Sequence, residues 1–211
     1  MILGVVPFGL TCGIMGLTVG LTAFETILMS GLVFAGAAQF TAMLLLGSGA
    51  VGFGVVVLTT VVVNLRHILM SASLASVIKK LSLPLKSILI FSLTDEAFAI
   101  TTARMEKSTY SGLYQAVVSL LLYITWILTT AIGVLFTSYI ADPLAWGLDF
   151  AMPASFIVFL IHRLKNATSA VVALVAGVSS VAGALLLPGK WYIIIACVLA
   201  CTVGFVIERR G

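Results

Sequence analysis

Two polar clusters carry most of the chemistry this chain can offer. Asn64-Leu65-Arg66-His67 lies in the second half of an apolar stretch, residues 54–71, and Thr94-Asp95-Glu96 interrupts the next one. A charged side chain at bilayer depth costs about 3 kcal/mol on insertion scales, so a chain that keeps both signs in such stretches is expected to use them. Arg66 stays charged at any working pH and presents a planar fork that fits a carboxylate. His67 titrates near neutrality and can carry a proton. Asn64 and His67 share a helix face, whereas Arg66 points about 200° away from Asn64. Asp95 and Glu96 are adjacent and face about 100° apart. One is placed to pair with Arg66, the other to stay free for proton exchange. A purely structural reading stands beside this one: Arg66 anchors the bundle by pairing with an acid of another helix, and the acids sit at a water interface near a helix end. A third polar group, Gln39, lies within Phe34-Ala35-Gly36-Ala37-Ala38-Gln39-Phe40. The small residues let helices approach closely in lipid, and Gln39 is expected to point into a polar cavity.

What positions these clusters is a membrane protein. The chain of 211 residues is 62% hydrophobic and 9% charged, with a mean hydropathy of +1.26. A soluble domain carries about 25% charge, and a core alone cannot absorb this much apolar surface. At roughly 20 residues per spanning helix there is room for about six to eight spans, which leaves no space for a soluble domain. Long apolar runs without strict two-residue alternation argue against a membrane β-barrel. The expected fold is therefore all-α, a polytopic membrane helix bundle forming a single integral membrane domain over residues 1–211. Seven stretches read as spans: 3–22, 26–46, 53–75, 110–138, 147–162, 167–187 and 190–207. Apolar residues begin at Ile2 with no positive region before them, so the first stretch is expected to be a retained span and not a cleaved signal.

Residues 84–104 either span or enter halfway and return. Cytoplasmic loops carry an excess of Lys and Arg. If the segment spans, Arg104, Lys107, Arg163, Lys165, Arg209 and Arg210 face Lys79, Lys80, Lys86 and Lys190, which orients nothing. If it re-enters, all of these except Lys190 share one face. That asymmetry favours seven spans plus one re-entrant segment, with a cytoplasmic C-terminus. A loose internal echo joins Pro7-Phe8-Gly9 and Gly47-Ser48-Gly49 to Met152-Pro153-Ala154-Ser155-Phe156 and Pro188-Gly189. Glycine- or proline-interrupted helices in matching halves point to transporter repeats.

Several function classes lose support. The net charge of +4 is scattered, so no nucleic-acid partner is expected. Cys12, Cys197 and Cys201 read as small apolar filler, with neither a disulfide framework nor a metal site expected. No phosphate-binding loop points to ATP. His67 and Ser71 stand four apart, but no serine sits in a nucleophile-like glycine turn, so enzyme activity is not expected.

The motifs together resemble one family. Val6-Pro7-Phe8-Gly9, Ser30 followed by Phe34 to Phe40, Asn64-Leu65-Arg66-His67 with Met70-Ser71, Leu93-Thr94-Asp95-Glu96-Ala97-Phe98, and Leu148-Asp149-Phe150-Ala151-Met152-Pro153 resemble, in order, elements of the AzlC family, the large subunit of branched-chain amino acid exporters. The resemblance implies export of Leu, Ile and Val, and of Met, across the cytoplasmic (inner) membrane, with a small membrane partner of AzlD type. Site roles are a physical reading. Arg66 is expected to hold the substrate carboxylate and Asp95 or Glu96 its ammonium group. Gln39, Asn64 and the softened backbone around Pro7 and Gly9 complete a polar shell. Phe34, Phe40, Phe98 and Phe150 are candidates for the apolar pocket, and His67 with Glu96 or Asp95 for proton coupling. No cofactor is expected. The alternatives are an assembly subunit or a passive channel whose partner forms the path.

Overall fold

The computed structural model describes residues 2–49, 52–139, 157, 160, 161, 164, 166–187 and 191–210, and every element named among them is an α-helix. In chain order these are α1 (Ile2–Thr18), α2 (Ala23–Val33), α3 (Gly36–Gly47), α4 (Phe53–Ile78), α5 (Leu83–Phe91), α6 (Asp95–Met105), α7 (Gly112–Tyr139), α8 (Ala167–Leu186) and α9 (Tyr192–Arg210). By length and composition α4, α7, α8 and α9 can each cross a membrane, while α1, α2 and α3 are shorter apolar helices. The architecture is a membrane helix bundle. The expected span 147–162, with Phe150 and the motif around it, falls almost wholly outside the described residues.

Residues 26–46 do not form the single span their apolar length suggests. A capping box opens α2: Glu25 N donates to Thr22 Oγ1 at 3.2 Å, and Thr22 N donates to Glu25 Oε2 at 2.8 Å, which satisfies two orphan amides of the first turn. The helix ends at Phe34, whose φ of 44° and ψ of 42° are left-handed, a conformation that a bulky residue rarely adopts. Helix α7 holds it there. Tyr123 Oη donates to the Gly31 carbonyl at 2.8 Å, and the Phe34 ring meets Tyr123 edge-on at 4.9 Å.

Beyond Phe34 the chain turns back. Gly16 of α1 abuts Thr26 near the start of α2, and a methyl at Gly47, the end of α3, would lie 2.7 Å from Val19 just past α1. Both feet of the α2–α3 pair therefore stand at the same end of α1. Gln39 Nε2 donates to Ser30 Oγ at 3.0 Å and struts the two arms. The pair is a helical hairpin with its tip at Phe34-Ala35.

Residues 84–104 fold the same way. Leu81, just before α5, lies 3.3 Å from where a methyl at Gly112 would sit, at the start of α7. Gln115 Nε2 donates to the Leu89 carbonyl at 3.2 Å, and Tyr110 Oη donates to Gln115 Oε1 at 2.8 Å. Burial raises the Tyr110 hydroxyl above its ordinary pKa, so it remains a donor. The feet of this second hairpin are thus together, with its tip at Ser92–Thr94. Depth agrees. At 1.5 Å per residue, about 18 Å of helix separates Arg66 from the end of α4 and about 15 Å separates Asp95 from the end of α6, and the two side chains are paired.

Helix α4 starts where the first hairpin opens and ends where the second opens, so the hairpins enter from opposite ends. Helix α1 with α2–α3, and α4 with α5–α6, are two helix-plus-hairpin units of inverted topology. This repeat differs from the first-to-last echo expected from sequence, whose later half lies outside the described residues. Lys79, Lys80, Lys86, Arg104 and Lys107 all stand at the end where the second hairpin opens, while residues 19–25, 48, 49 and 52 at the other end contribute only Glu25. Cysteines placed singly at Lys80 and Glu106, in a background without native cysteines, are expected to react with an impermeant thiol reagent from one side of the membrane. A cysteine at Ser48 is expected to react from the other. Opposite sidedness of 80 and 106 would contradict the hairpin.

Candidate substrate-binding cavity

The two hairpin tips meet at one cavity of about 350 Å³, a size within the usual range for small-molecule sites. Its polar lining is Arg66 and His67 from α4 with Thr94, Asp95 and Glu96 from the second tip. Its apolar lining comes from Phe34 to Ala37 and Phe40 of the first tip, Val5 and Phe8 of α1, Leu122 and Trp126 of α7, and Leu160. A chamber with charge and large apolar area together suits a small zwitterion carrying an apolar side chain.

Helix starts place the polar groups. Thr94 caps α6 by accepting from Ala97 N at 3.2 Å, and Asp95 and Glu96 occupy the first turn, where the helix dipole favours acids. Helix α3 has no such cap: Ala35 supplies no side-chain acceptor, and Gly36 and Ala37 of its first turn line the cavity. Arg66 Nη1 donates to Asp95 Oδ2. The pair is not sealed, with side chains 36% and 21% accessible. Arg66 Nε is buried and, among the described residues, has no hydrogen-bond partner, so the guanidinium keeps donor capacity for a further acceptor. No ion pair engages Glu96 among the described residues.

The site expected from sequence is thus partly assembled here. Phe34, Phe40, Arg66, His67, Asp95 and Glu96 line the cavity. Gln39, Asn64 and Phe98 are not among its lining residues. Gln39 is fully buried: besides donating to Ser30 it accepts from Trp126 Nε1 at 3.1 Å, while Ser30 and Thr130 hydroxyls lie 3.1 Å apart. Its amide is used within the protein, which is why it does not reach into the cavity. Asn64 sits on α4 about 110° from the direction midway between Arg66 and His67, and its buried Oδ1 has no partner among the described residues. Phe98 packs against the core around Leu93 and Ala97. Replacing Gln39 by Leu is expected to lower stability by about 1–3 kcal/mol, because Trp126 Nε1 and Ser30 then lose a buried partner. Thermal unfolding in detergent measures it.

Sequence reasoning does not find Trp126 and Leu122. A tryptophan inside an apolar span reads as ordinary packing, and only the fold brings it against the tip. Ala35, Gly36 and Ala37 read in sequence as close-packing residues; their part in the wall follows from the helix break.

Comparison with known proteins finds similar membrane proteins. The family profile described as AzlC protein matches residues 1–140. The "Branched-chain amino acid transport protein AzlC" of Bacillus subtilis (strain 168) is 33% identical over 90% of this chain and 74% of its own length. The "Inner membrane protein YgaZ" of Escherichia coli (strain K12) is 30% identical over 84% of this chain and 77% of its own. An uncharacterized membrane protein of Archaeoglobus fulgidus is 33% identical over 78% of this chain and 72% of its own. No solved structure matches.

Proposed function

The chain belongs to the AzlC protein family, a family with a transport role, and on that basis we propose that it exports branched-chain amino acids across the cytoplasmic membrane. The observation that carries the reading is the convergence of two opposed hairpin tips on one cavity that holds a partly accessible Arg66–Asp95 pair. Broken helices at a central site are the usual construction of secondary transporters.

In this reading the empty site closes its charges on each other. An incoming amino acid offers a carboxylate to Arg66 and an ammonium group to Asp95, so the internal pair opens as two external pairs form. The uncapped start of α3 adds amide donors for the same carboxylate. Phe34 and Phe40 receive the aliphatic side chain. His67 and Glu96 face the same space and are assigned to proton coupling. The two inverted units supply alternating access, each hairpin closing the cavity toward its own end of the bundle. The basic residues at the feet of the second hairpin favour a cytoplasmic position for that end. A small membrane partner of AzlD type completes the exporter.

The test is efflux of labelled leucine from cells loaded with it, with and without the chain and its partner subunit. Efflux that depends on both and collapses with the proton gradient is expected. Efflux unaffected by the chain would overturn the reading.

A further inference from the structure

We propose that Trp126 sets the size limit of the apolar pocket, with Gln39 as the positioning residue that fixes its ring. The proposal rests on the amino-acid transport reading and adds a specificity-determining residue to it. Trp126 lines the cavity yet is only 7% accessible, so a small part of it borders the cavity and the rest is embedded. Three contacts hold the ring. Its Nε1 donates to Gln39 Oε1 at 3.1 Å. Phe40 meets it edge-on at 6.5 Å. Its six-membered ring rests on Gly36, where a methyl would come within 2.9 Å of Cη2. Gly36 and Phe40 belong to the first hairpin, so this wall is assembled only when that hairpin is seated against α7.

Gln39 cannot swing away cheaply. It is fully buried and its Nε2 is committed to Ser30, so the acceptor that Trp126 uses points one way. An apolar pocket discriminates by size only as far as its wall resists moving, and a single methylene is then worth about 10- to 200-fold. A loose aromatic in the same place would yield to a larger side chain. The anchored indole is therefore what separates aliphatic amino acids from aromatic ones here.

The experiment is counterflow of labelled leucine and labelled phenylalanine in proteoliposomes containing the chain with its partner. The ratio is taken within each preparation, so differences in yield cancel. The wild type is expected to move leucine at least about tenfold faster than phenylalanine, on the methylene scale above. Trp126→Ala and Trp126→Leu are expected to bring the two rates within about threefold, the Leu variant keeping more apolar volume should the Ala variant assemble poorly. Trp126→Phe and Gln39→Leu each break the hydrogen bond and leave a ring in place. Both are expected to lower the ratio, and Gln39→Leu is expected to cause no further change when added to Trp126→Phe. A wild type that moves neither amino acid would overturn the transport reading itself. A wild type that moves leucine, with an unchanged ratio in both Trp126→Ala and Trp126→Leu, would overturn this proposal alone. Additive effects of Trp126→Phe and Gln39→Leu would remove Gln39 from it.

Discussion

Arg66→Gln and Asp95→Asn are each expected to cut leucine transport about 10- to 150-fold, the cost of losing one charge-assisted hydrogen bond of about 1.5–3 kcal/mol. Asp95→Asn keeps the shape of the side chain and removes its charge, and Arg66→Gln removes the charge while shortening the side chain. The loss comes at both stages of the proposed cycle. The empty site loses its internal pair, and the loaded site loses the partner of one end of the zwitterion. The charge swap, Arg66→Asp with Asp95→Arg, distinguishes binding from anchoring. It restores an ion pair between α4 and α6 and so recovers membrane levels, but it presents the charges to the substrate in the wrong places. Transport is therefore expected to stay low in the swap. Recovery of full activity would assign the pair a structural role only. Initial rates normalised to protein in the membrane provide the measurement.

The second large effect concerns the seam between α1 and α7. Gly13 faces the Thr130 carbonyl and the backbone of Gly133, and Gly133 faces the backbone of Leu10. A methyl at either position would meet main chain, which cannot rotate aside. Close backbone approach through small residues is how helices associate in lipid, where no hydrophobic force draws them together. Gly13→Val and Gly133→Val are each expected to destabilise by at least about 1–3 kcal/mol, the usual cost of overpacking, and to remove most folded protein. Gly177→Ala on α8 meets nothing within 4 Å and is expected to behave as wild type. Fluorescence-detected size exclusion in mild detergent separates these outcomes. A well-folded Gly133→Val protein would contradict the packing described for α1 and α7. This seam also carries Trp126, Thr129 and Thr130 beside the first hairpin, so its loss removes the site together with the fold.

The membrane class and the polar clusters are legible in the sequence because they are expensive. Charges within apolar stretches have few explanations, so Arg66, Asp95 and Glu96 stand out from residue type and position alone. Which acid takes Arg66 is not legible. Adjacent residues differ by about 100°, and only the direction in which α6 leaves its cap selects Asp95. The first hairpin is hidden for a different reason. Its apolar length matches one span, and Phe34 carries no local signal of a break. The left-handed turn there is imposed by Tyr123 and Trp126 from a helix far along the chain. Gln39 marks another limit. An amide at bilayer depth needs partners, and sequence cannot tell whether a ligand or the protein supplies them. Here Ser30 and Trp126 do. The second hairpin is half legible, since the distribution of Lys and Arg already favours a segment whose ends share one face.

Occupancy of the cavity by substrate is the most direct test. Ala37 lines the wall on the first tip, so Ala37→Cys, with Cys12, Cys197 and Cys201 replaced, places a thiol at the space proposed for the aliphatic side chain. The rate of its alkylation is measured in purified protein with and without saturating amino acid. Leucine, isoleucine and valine are expected to slow it several-fold, and lysine and glutamate to leave it unchanged. Equal rates with and without leucine, in protein that still transports leucine, would place the substrate path elsewhere and contradict the account.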